Sequence, residues 1–117
     1  MTEFTRHDLP ADITVFAGEF DSQPLVFAHL LDEAPDLLLE HVEVIRDADP
    51  TRRLAVYFDP RTIAAIKTAA HPYTTLLLIL PAAFDTLICP LVGSEHLIPL
   101  GVHRGTVPRM VARVERP

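Results

Sequence analysis

Cysteine, glycine and lysine are all scarce in this chain, and each scarcity excludes something. The one cysteine, Cys89, permits no internal disulfide and suits a reducing compartment. The four glycines, Gly18, Gly93, Gly101 and Gly105, never cluster, so neither a phosphate-cradling loop nor a dinucleotide fingerprint can form. Lysine occurs once, at Lys67, against nine arginines, a usage expected of a GC-rich bacterial genome. Long apolar runs are missing too. Pro81 and Asp85, then Pro90 and Gly93, break the greasiest stretches well short of the roughly 20 residues of a bilayer span. The start, MTEFTRHDLP, is polar and acid-bearing where a signal peptide has a basic start and an apolar centre. These absences lead us to expect a soluble cytoplasmic protein without a membrane segment.

What is present is charge, unevenly spread. Residues 1–50 hold twelve of the sixteen carboxylates and two of the ten bases, a balance of −10, whereas residues 51–117 stand at +4 and the whole chain at −6. Such asymmetry points to a charged partner surface. The 117 residues match the size of one domain, and an apolar content of 49% exceeds what so small a body usually buries, which predicts a homodimer.

Periodicity supplies the elements. Residues 1–11 read as an N-terminal tail. The alternation Ile13, Val15, Ala17 predicts a first strand ending at Gly18, and Ser22 with Pro24 opens a helix that Pro35 stops after Ala34. On that helix Phe27, Leu30, Leu31 and Ala34 share one face, and His29, Asp32 and Glu33 the other. Leu37 to Arg46 alternates again and predicts a strand, half-exposed through His41 and Glu43. The β-formers of Arg53 to Phe58 predict a strand paired to it as a hairpin. Asp59-Pro60 caps a second helix with Ile63, Ile66 and Ala70 inward, and His71-Pro72 closes it. Thr74 to Leu80 is a continuous apolar run between prolines, a strand covered on both faces. The expected architecture is α+β: one domain over 1–117, a ferredoxin-like βαββαβ sandwich over 12–80, and a C-terminal β-hairpin extension over 81–117 turning at Arg104-Gly105. In that arrangement the apolar strand lies at an edge and needs cover from the extension or a second subunit.

Chemistry-bearing residues are present without a signature. The six histidines form no HxH or HExxH and no Cys/His cluster, so no metal site is assigned, and His41 with Glu43 reads as the solvated face of a strand. Cys89 sits in an apolar run, where a thiol serves as a small buried hydrophobe. Gly93-Ser94-Glu95-His96 lacks the GxSxG turn that would present a nucleophile. Neither catalytic residue nor cofactor is assigned. Nucleic acid is not an expected partner, given the net charge of −6 and the few aromatics on the strands; the stripe Arg104, Arg109, Arg113 and Arg116 reads as pairing with the acidic half.

The leading expectation is a non-enzymatic module that engages a basic protein through Asp32, Glu33, Asp36, Glu40, Glu43, Asp47 and Asp49. Bacterial immunity proteins and other inhibitors of cationic nucleases work by this charge logic, an analogy of charge and size with no family motif behind it. The alternatives are a small-molecule-binding regulatory domain, and a small enzyme that needs His41, Glu43, His96 or Cys89 in one cleft.

Overall fold

The computed structural model describes residues 2–86 and 88–114, with side chains for 9–86 and 88–107. Four strands, β1 (Thr2–Gly18), β2 (Val42–Ile45), β3 (Thr75–Ile79) and β4 (Ile98–Val114), form one antiparallel sheet in the order β2-β3-β1-β4. Three helices, α1 (Gln23–Glu33), α2 (Thr51–Leu54) and α3 (Pro60–Ala70), pack on it, and short 3₁₀ turns occupy Leu39–His41 and Pro81–Ala83.

Every residue of β3 is buried. Leu77 and Ile79 point into one core with Phe16, Val26 and Leu30 of α1, while Leu76 and Leu78 point into a second core with Leu54, Ile63 and Ile66 of α2 and α3. The helices therefore lie on opposite faces and the domain has three layers. That is why a strand with no polar alternation is stable here: both its faces meet helices and both its edges meet strands.

Several expectations are corrected. The chain runs β-α-β-α-α-β-β, not βαββαβ followed by a hairpin. Arg53 to Phe58 is not a strand; α2, opened by Pro50 at its N-cap with Asp49 just before it, and its closing turn take its place. Asp49 Oδ1 accepts from the Thr51 amide at 3.1 Å, as Asp59 Oδ1 accepts from the Thr62 amide at 2.7 Å to cap α3. The strand expected over Leu37 to Arg46 shortens to Val42–Ile45 behind a 3₁₀ turn. The apolar strand Thr75–Ile79 lies between β2 and β1, not at an edge.

Residues of the expected N-terminal tail are the first half of β1, and the expected C-terminal hairpin is one strand, β4, paired with β1 from Thr2↔Val114 to Ala17↔Ile98. Glycine 105 makes no turn. A Cβ there would stand 2.5 Å from the Tyr57 carbonyl oxygen, so glycine is what lets β4 pass close over that carbonyl, to which the Thr106 amide donates at 2.8 Å. Only Thr14–Gly18 of β1 pair with β3, so the remainder of β1 and its partner β4 continue as a two-stranded ribbon, within a molecule 57 Å in its longest dimension.

Two substitutions test this packing. Thr75 is fully buried and its hydroxyl makes no hydrogen bond, so Thr75→Val keeps the shape and removes an unpaid desolvation. It is expected to stabilise the fold by about 1 kcal/mol in urea titration; a loss of stability would show that the hydroxyl has a partner. Gly105→Ala is expected to cost about 1–3 kcal/mol in the same titration through the clash with Tyr57, and a neutral result would contradict the close approach.

Candidate functional site

The seven carboxylates expected to form one docking surface are divided by the sheet. Glu43 points to the α3 side, since its neighbours Val42 and Val44 fill the α1-side core, and there it accepts from Arg53 Nη2. Asp47 Oδ1 lies 3.5 Å from Arg53 Nη1, and Asp49 Oδ1 accepts from Lys67 Nζ at 3.2 Å. Burial works against the Arg53 charge, but the hydrogen bond and field of Glu43, with Asp47, more than offset it and raise its pKa. These three acids are thus held by bases of the same chain. Asp32, Glu33, Asp36 and Glu40 follow one another on the α1 side, and among the described residues no Lys or Arg pairs with them; Glu33 and Glu40 lie 3.3 and 3.8 Å from His29 and His41.

The histidines separate in the same way. His29 and His96 meet edge to face on the α1 side, ring centroids 5.6 Å apart, and His29 Nε2 is buried beside Glu33 in a direction that makes no hydrogen bond. Glu43 and His96 are therefore on different faces and cannot act together. His41 and Cys89, by contrast, line one cleft of about 1000 Å³. Among the described residues no group of three His, Cys, Asp or Glu is placed to hold a metal ion.

The cleft opens where β3 stops and β1 runs on. After Ile79 the Leu80 amide bonds the His41 carbonyl at 3.2 Å, and Pro81 turns the chain away. One wall is then the unpaired edge of β1, with Leu9, Ala11 and Asp12, and Thr14 where pairing with β3 begins, backed by Val102, Arg104 and Val107 of β4. The other wall is Leu80 to Ala82 and Phe84 with Thr86, Ile88 and Cys89; His41 and Tyr57 complete the lining. Apolar side chains predominate, and three of them stand open to solvent: Ile88 at 81%, Val102 at 61% and Leu9 at 45%.

Polar groups in the cleft are few. Arg104 and Asp12 are cross-strand partners joined by a 3.1 Å bond from Arg104 Nη1 to Asp12 Oδ1. Burial pushes the Cys89 thiol up, only partly relieved by hydrogen bonds from the Leu91 amide and the Thr14 hydroxyl, so the thiol is protonated at neutral pH and is a poor nucleophile. Burial, then the neighbouring Glu43 carboxylate, likewise raises the Tyr57 phenol.

A smaller hollow of about 420 Å³ beside α3 holds Arg46, Asp47 and Lys67, but its bases are already engaged: Arg46 Nη2 donates to the Phe20 carbonyl at 2.9 Å, and Lys67 is on Asp49. Of the arginine stripe, Arg104 pairs with Asp12, Arg109 and Arg113 are positions of β4, and Arg116 lies outside the described residues.

Sequence reading noted Cys89 and Arg104 but had no means of joining them to Asp12, Thr14, Ile88 and Val102. Those residues meet only through the pairing of the two ends of the chain. Among the described residues no helix is long and apolar enough to cross a membrane. Comparison with protein-family models, with curated proteins and with solved structures finds no match to this chain.

The acidic loop gives a pH test of this charge arrangement. Hydrogen bonds from the Thr51 hydroxyl, then its amide, then Lys67, hold the Asp49 carboxyl at about 2, below its ordinary 3.8. A lowered folded-state pKa stabilises the fold above the ordinary value, and that stabilisation is lost as pH falls through about 2. Asp49→Ala is therefore expected to lower Tm at neutral pH, with the difference from wild type closing across this acidic window; a constant difference would mean that Asp49 acts without its charge.

Proposed function

We propose that this protein is a non-enzymatic binding module whose site is the cleft between the β1–β4 ribbon and the wall that includes Leu80, Phe84, Ile88 and Cys89, and that it takes a small, largely apolar molecule. One observation carries the reading: a concave site of about 1000 Å³ keeps Ile88 and Val102 more than half exposed on its walls, with polar groups confined to a few positions. Ligand sites have this anatomy, an apolar lining with a small set of orienting polar groups, and solvated apolar walls gain most from being covered. The protonated, hydrogen-bonded thiol supports binding over nucleophilic chemistry.

A second reading keeps the expected basic protein partner and confines its contact to Asp32, Glu33, Asp36 and Glu40. In its favour, these four carboxylates are without a Lys or Arg partner among the described residues, whereas Glu43, Asp47 and Asp49 are neutralised internally. Carboxylates not neutralised by a lysine or arginine accelerate encounter with a cationic surface.

Thermal shift against a metabolite library separates the two. A ligand at about 100 times its Kd contributes about 2.7 kcal/mol and raises Tm by several degrees. The cleft reading expects such hits to vanish in Ile88→Glu, a change at an 81% exposed position that leaves the unliganded Tm unaltered. Hits that survive Ile88→Glu would contradict the cleft reading, and binding of a basic protein lost on charge reversal of the four carboxylates, with no library hit, would favour the second.

A further inference from the structure

We infer that the ligand of the cleft is an amphiphile with an anionic carboxylate head, held by Arg104 in competition with Asp12, with its apolar chain along Ile88 and Val102. This rests on the cleft being the binding site. The donor and acceptor inventory carries it. Asp12 is the one lining side chain that can only accept hydrogen bonds when ionised, and Arg104 already occupies one of its oxygens. Among the described residues Arg104 spends a single Nη1 donor of its five on that contact, leaving the rest of its planar fork for a second carboxylate. The other polar side chains around the cleft are Thr14, His41, Tyr57, Thr86 and Cys89; the Tyr57 hydroxyl already donates to Glu43 Oε2, that of Thr86 to the Ile88 carbonyl and that of Thr14 to the Cys89 sulfur, so Arg104 holds the donors left for a ligand.

Charge points the same way. Asp12 and Arg104 are each 64% exposed, so their mutual attraction is screened by water and weak enough for a bound carboxylate to displace. A carboxylate gains a fixed cation with free donors. An ammonium head would find only Asp12, already neutralised, beside the permanent positive charge of Arg104. A neutral apolar molecule would leave the remaining guanidinium donors of Arg104 unused. A free carboxylate in solution, not a lipid in a bilayer, is the occupant, because Arg104 lines the same cleft as the apolar walls, so head and chain together would have to enter a space of about 1000 Å³.

The experiment is calorimetric titration of the full chain with decanoate, decanol and decylamine at submicellar concentration, repeated with Arg104→Gln and Asp12→Asn. Decanoate is expected to bind best, to weaken about tenfold in Arg104→Gln through the lost charge-assisted bonds, and to tighten in Asp12→Asn, which frees the guanidinium. Decanol is expected to bind more weakly and to ignore both changes. Neither variant disturbs a buried contact, and an unchanged Tm for each confirms that the fold is intact. Equal binding of decanol and decanoate, untouched by Arg104→Gln, would overturn the carboxylate inference and leave the cleft as a site for neutral ligands. Preference for decylamine would overturn the assigned charge. Binding to phosphatidylglycerol vesicles without binding to free decanoate would overturn the free-ligand assignment. No binding by any of the three, together with library hits indifferent to Ile88→Glu, would remove the cleft reading as well.

Discussion

The burial of β3 on both faces is the constraint on which the other parts of the structure depend. Leu76, Leu77, Leu78 and Ile79 leave no polar face, so water must be excluded from both sides of the strand and from both of its edges. The fold meets this with α1 on one side, α2 and α3 on the other, and β2 and β1 as neighbours. Each fully buried leucine or isoleucine is worth about 1.5–3 kcal/mol relative to exposure, so this five-residue strand is the centre of both cores.

The same strand also creates the cleft by being short. β1 is seventeen residues long and β3 is five, so β1 loses its neighbour beyond Thr14. Pro81 then directs the chain away from the sheet, and the segment that follows returns Phe84, Ile88 and Cys89 to face the exposed strand across a gap. The walls of that gap belong to the rims of both cores: Phe84 and Cys89 pack on the α1-side core, Leu80 and Val107 on the other. A site at the end of a rigid strand and between two packed layers is held in shape by the fold itself.

Local patterns in the chain were legible where local physics decides the outcome. Asp59-Pro60 with Ile63, Ile66 and Ala70 marked α3 correctly, and the apolar run Thr74 to Leu80 marked a strand covered on both sides, found over Thr75–Ile79. Misreading arose where a distant partner or a cap decides. Arg53 to Phe58 has strand-forming residues, yet Pro50, with Asp49 bonded to the Thr51 amide beside it, starts a helix there. The opening residues carry no strand pattern and become one because β4 supplies every pairing partner from about a hundred residues away. The acidic half was visible as composition, but composition does not show on which side of a sheet a carboxylate falls; alternation along Val42–Ile45 sends Glu43 to Arg53 and away from Glu40. The cleft was invisible for the same reason that β1 was.

Residue-resolved NMR of the full chain, with amide shifts followed as decanoate is added, tests the central claim most directly. The account predicts that perturbed amides cluster at Ala11 to Thr14, His41, Ile88, Cys89 and Val102 to Arg104, with α1 and its acidic end unmoved. Shifts confined to Asp32 through Glu40, or spread evenly over the surface, would contradict it.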